Sequence, residues 1–119
     1  MADIEIMAVD WLSHADELQG IPVSLSVGEP RRDRFVTVEQ TGATLEHHLA
    51  TATLAVQVWD TSRAKASRLA NEVVAPVLLD MWQVDEVGSV EILGIANMPD
   101  PGPPFRHRYQ ISAHVTAAA

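Results

Sequence analysis

Five histidines, His14, His47, His48, His107 and His114, are the residues in this chain with the widest chemical reach. Two metal ligands on one helix face need a spacing of three or four residues. No pair among the five has it. His47 and His48 are adjacent, so in either a helix or a strand their rings diverge. His107 falls on the apolar side of the last strand pattern, where a packed, hydrogen-bonded histidine is the common case. Nucleophilic catalysis has no better foothold, because there is no cysteine and no serine stands in a Gly-x-Ser-x-Gly elbow. The six glycines are scattered and build no phosphate-cradling loop. Asp85 and Glu86 are paired at a turn, where solvated acids are expected. General acid–base work would need a cleft that tunes them. The expectation is no catalytic residue, no cofactor and no metal. A small metal-dependent α+β enzyme using His47, His48 and nearby acids stands only as a rival reading.

Charge excludes more than it assigns. The 119 residues carry a formal charge of −8, which repels phosphate backbones and argues against sequence-reading nucleic-acid binding. Before Arg31 the chain has Asp3, Glu5, Asp10, Asp16, Glu17 and Glu29 but no lysine or arginine. Lys65 is the single lysine among eight basic residues. Arginine pairs bidentately with carboxylates at interfaces, although GC-rich coding produces the same bias. No basic, then apolar, leader opens the sequence, and no run reaches the roughly 18 apolar residues of a membrane span. Assembly in a cytoplasm is the expectation.

The elements that would position these residues follow from periodicity. Ile4, Met7, Ala8, Trp11, Leu12, Ala15 and Leu18 make one helical stripe, with Asp3 as N-cap, Gly20 as stop, and Asp10, Asp16 and Glu17 on the opposite face. Ile21 to Val27 alternates as a strand, with Pro22 at its start or on an edge. Gly28 to Asp33 is a loop, and a second strand runs from Phe35 to Gln40, closed by Thr41-Gly42. Residues 43–50 are ambiguous. Thr53 to Trp59 is a strand with Leu54, Val56 and Val58 on one face and Trp59 on the other. A large aromatic there fits a contact with another chain or a core position at the sheet margin.

Asp60-Thr61-Ser62 can cap a second helix, whose stripe is Ala66, Leu69, Ala70, Val73, Val74, Val77, Leu78 and Met81. Pro76 should kink it. A strand from Ser89 to about Ile95, a proline-rich excursion from Met98 to Pro104, and a strand from Phe105 to Thr116 complete the pattern. Short connections make the strands largely antiparallel. The fold class is therefore α+β: a mostly antiparallel sheet with two helices packed on one face, one domain over residues 1–119.

Taken in order, these segments resemble the phage tail terminator family, also called tail completion or minor tail protein U-like proteins. The resemblance is carried by the short helix before Ile21-Pro-Val-Ser-Leu-Ser-Val27 and by Pro30-Arg-Arg-Asp-Arg-Phe-Val-Thr-Val-Glu-Gln-Thr-Gly42. Two further pieces are Ala52-Thr-Leu-Ala-Val-Gln-Val-Trp-Asp60 leading into an alanine-rich helix, and Met98-Pro-Asp-Pro with Pro104-Phe-Arg-His-Arg-Tyr-Gln-Ile111. His107 intervenes where a shorter arginine–tyrosine pairing is more usual. The resemblance implies a structural virion protein. It would form a ring, a hexamer in the family, at the head-proximal end of the tail tube. There it would end tube polymerisation and join tail to head. Its partners would be further copies of itself, the major tail tube protein and the head–tail connector or neck proteins, with DNA passing through the lumen unbound and no membrane involved. On that reading Arg31, Arg32, Arg34, Phe35 and Trp59 are candidates for inter-subunit or tube contacts. Asp10, Asp16 and Glu17 are candidates for an acidic lumen. A connector or neck protein of the same virion is the nearest alternative.

Overall fold

Two long hairpin-like pairings and one crossover arrange the strands. The computed structural model describes residues 3–28 and 32–118. Helix α1 (Ile4–Ser13) leads to a 3-10 turn at Asp16–Leu18, and then come β1 (Val23–Ser24), β2 (Phe35–Glu46) and β3 (Leu49–Asp60). A composite helix follows: α2 (Arg63–Arg68), a π-helical turn (Leu69–Val74) and α3 (Ala75–Leu79), ending in a 3-10 turn at Asp80–Gln83. Strands β4 (Val87–Asn97) and β5 (His107–Ala118) close the chain. The sheet order is β1-β2-β3-β5-β4, with every neighbour antiparallel except β1 and β2. Both helical segments pack on one face, as the stripes require.

The alternation along each strand decides which face is covered. Val36, Val38, Ala52, Leu54, Val56 and Val58 are buried with Ile111, Ala113 and Val115 beneath Leu12, Leu18, Leu69, Val74, Leu78 and Met81. Helix α1 begins where expected, since the Asp3 carboxylate accepts the Ile6 N–H at 3.1 Å. It contributes Ile4, Ala8 and Leu12 to the core. Trp11 joins it to the second helix by donating its indole N–H to the Val77 carbonyl at 2.7 Å. Gly20 turns the chain with φ +80, a conformation that disfavours any side chain.

Several expectations from periodicity change. The helical stripe expected as far as Leu18 breaks after Ser13, with Ala15 extended before the 3-10 turn, and the last strand starts at His107 and not at Phe105. The strand expected over Ile21–Val27 shrinks to β1, two residues pairing in parallel with Val36 and Thr37. The Ser24 hydroxyl donates to the Ser26 carbonyl at 2.6 Å, a local turn that competes with the ladder. Thr41-Gly42 does not end the second strand. The chain passes through a bulge between Gln40 and Gly42 and continues to Glu46. The ambiguous 43–50 stretch is the far half of a β-hairpin, turning at His47-His48 with His48 at φ 71. The second helix accommodates Pro76 by a wider turn immediately before it, where the Ala75 N–H reaches back five residues to the Ala70 carbonyl.

Candidate interaction surface

The first turn of the composite helix, the end of β3 and the starts of β2 and β5 meet at one end of the sheet. Their register states it directly: Phe35 opposes Trp59, and Asp60 opposes His107. Helix α2 starts three residues after Asp60, capped by Ser62, whose hydroxyl accepts the Lys65 N–H at 3.1 Å. All seven Lys and Arg side chains among the described residues therefore fall here: Arg32, Arg34, Arg63, Lys65, Arg68, Arg106 and Arg108. Each stands on, or within three residues of, one of these converging segments.

Beneath them lies an interlocked layer on the face that the helices leave open. The Phe35 and Trp59 rings stack at 5.0 Å between centroids, and the Arg108 guanidinium lies 4.9 Å from the centroid of the Trp59 ring. Phe35 is 4% exposed and Trp59 3%. This corrects their assignment as contact residues: within one folded chain they present almost no surface, and the reading of Trp59 as a core position at the sheet margin is the one the structure supports. Arg34 sits beside them and forms an ion pair, Nε to Asp60 Oδ2 at 3.0 Å. The Asp60 side chain is buried, while that of Arg34 is 52% exposed. Oδ1 of Asp60 accepts the Thr61 N–H at 2.7 Å. Oδ2 has no partner in hydrogen-bond geometry, so the arginine is its electrostatic counterion without aligned donation. The Arg106 guanidinium donates to the Arg32 carbonyl at 3.1 Å, pinning the loop before β2 to the start of β5. Arg31 lies outside the described residues.

Three of the cations, Arg34, Lys65 and Arg68, line a cleft of about 570 Å³ together with Asp60, Glu72, Leu69 and Val73. On the inner side of α2, Arg63 and Ser67 hydrogen-bond to the Tyr109 hydroxyl and hold its proton below the ordinary phenol range, outweighing the opposite effect of burial.

The candidate lumen residues are placed elsewhere. Asp10, Asp16 and Glu17 are all exposed, on the outer side of α1 and the turn after it. Among the described residues His14 alone reaches one of them, with Nδ1 3.3 Å from Asp10 Oδ1. The histidines remain scattered, and among the described residues no group of three or more His, Asp or Glu comes together in a way that could hold a metal ion. No helix among them is long and apolar enough to cross a membrane.

Two exposed features escaped periodicity. Trp82 is 61% exposed in the 3-10 turn after α3, one turn from the exposed Leu79. Leu45, 61% exposed, and Leu49 flank the hairpin turn. The Trp82 signal was available in principle: it follows the buried Met81, so on a helical wheel it points away from the stripe. No family model matches this chain, and no curated protein matches it.

Proposed function

We propose that the chain is a structural subunit of a bacteriophage tail terminator: a ring, hexameric by family resemblance, that caps the head-proximal end of the tail tube and meets the neck. The observation that carries this reading is the exposed acidic face formed by Asp10, Asp16 and Glu17, which no lysine or arginine among the described residues shares. Repeated around a ring, such a face makes a bore whose negative potential turns phosphate away, so DNA can slide through without adhering. The tail tube protein and the head–tail connector are the partners at the two mouths of the ring, and the site of action is the virion.

The deciding experiment is electron microscopy of lysates from a phage with a stop codon in this gene. Overlong headless tails are the expected result. Finished tails beside unjoined heads would assign the chain to the connector, and normal virions would end both readings. At the residue level, Arg31→Glu with Arg32→Glu should impair capping while the chain stays folded. Arg34 is left intact in that variant because its partner Asp60 is buried.

A further inference from the structure

The two ends of the composite helix carry opposite chemistry, and they lie at opposite ends of the molecule. Asp60 opposes His107 at the start of β5, and Val87 opposes Ala117 at its end. At about 3.3 Å per residue that separates them by roughly 33 Å, within a molecule whose long axis is 44 Å. The first end holds the cleft lined by Arg34, Lys65 and Arg68, three cations against the two carboxylates of Asp60 and Glu72. Asp60 there is tied to Arg34, and among the described residues neither Lys65 nor Arg68 has an ion-pair partner. The second end, from Leu79 to Glu86, exposes Leu79, Asp80, Trp82, Asp85 and Glu86 and has no base at all. Among the described residues none of its carboxylates has an ion-pair partner.

We infer that this second end of one copy docks into the basic cleft of the next. The fit is chemical as well as electrostatic. Trp82 offers a large flat ring with acidic neighbours, and the cleft offers guanidinium groups that stack on aromatic faces beside an apolar wall of Leu69 and Val73. An exposed tryptophan ringed by charge matches the usual anchor of a protein interface. Because the two surfaces differ and lie at opposite ends, the contact is heterologous: each copy uses both, and repetition closes a ring or runs on as a filament. The inference rests on the reading of the chain as an assembling subunit and names the surfaces through which it assembles.

Charge reversal tests it, read by sedimentation of the purified full chain across a concentration series. Lys65→Glu with Arg68→Glu should weaken self-association about tenfold or more, and Asp85→Lys with Glu86→Lys should do the same. Mixing these two variants should restore assembly, because each then supplies the surface that the other reversed. Trp82→Ala should weaken association in the wild-type background, and circular dichroism should show all variants folded. Raising salt from about 50 mM to about 500 mM should weaken wild-type association and leave the Trp82→Ala effect in place. Wild-type association that survives both reversals would overturn the inference, as would two weakened variants that do not rescue each other. A chain that stays monomeric at every concentration overturns it as well. The outcome is separable from the function: charge-reversed chains that still assemble and still cap tubes refute these surfaces and leave the terminator reading standing.

Discussion

The two ends of the β2–β3 pair are built on opposite plans. At the Phe35 and Trp59 end the open face is sealed by an aromatic stack and a guanidinium, and the Arg34–Asp60 ion pair stands on the helix side. At the hairpin end, residues 39–49 are exposed, and among the described residues no strand pairs with β2 beyond Thr37 on its outer edge. One edge donor there, the Gln40 N–H, is taken by the Glu5 carboxylate. The burial along β2 divides in the same way, the first four residues being buried and the remaining eight exposed. What decides it is whether other elements arrive to cover the strand: at the sealed end β1 pairs with Val36 and Thr37, and Arg108 of β5 lies over Trp59.

Mutations can break or sharpen that contrast. The largest effect belongs to the sealed end: Trp59→Ala should cost about 3–5 kcal/mol by denaturant unfolding, as expected for a large buried aromatic. The matching truncation at the hairpin, Leu45→Ala, should stay within about 0.5 kcal/mol, because its side chain is already in water. Equal losses at the two positions would erase the contrast. Next comes the ion pair. Arg34→Ala should cost about 1–2 kcal/mol, since it strands a buried carboxylate while solvent screens the exposed partner. Adding Asp60→Asn to Arg34→Ala should recover part of that loss, a non-additivity that a double-mutant cycle measures directly.

The smallest effect is a titration. Tyr109 is the only tyrosine, so phenolate absorbance reports it alone. Its midpoint should fall below that of a free phenol, and Arg63→Gln should raise it again. A folded-state value below the unfolded one means the stabilisation is present above the unfolded midpoint and is lost as pH falls through the folded one. Arg63 therefore supports the fold more in mild alkali than at neutrality.

Much of the architecture was legible, and the misses share a cause. The α+β class, the one-sided helices, the Asp3 cap and the Leu54, Val56 and Val58 face all come from local periodicity, which the tertiary structure then uses. β1 and the 43–50 hairpin were not legible because pairing, not pattern, defines them. A two-residue strand exists only through its bond to β2, where the Val36 N–H meets the Pro22 carbonyl at 2.9 Å. In the interaction surface, the arginines could be counted but their gathering at one end could not. Arg34, Lys65 and Arg106 are far apart in the chain and meet only through strand register. The burial of Phe35 and Trp59 was hidden for the same reason.

The π turn before Pro76 has a consequence for what the chain tolerates. It gives the composite helix one surplus residue, which shifts the inward face: Ala75 is buried, while Val73, which a regular stripe would place inside, is half-exposed. That slack is also where a ring lacking an N–H finds room. A one-residue deletion at the exposed Asn71 would tighten the backbone into ordinary α geometry and press the proline against the carbonyl four positions back, at about 3 kcal/mol. Replacing Pro76 by alanine asks for no such adjustment. Substitution at 76 can therefore come before loss of the extra residue, whereas the reverse order passes through a damaged helix.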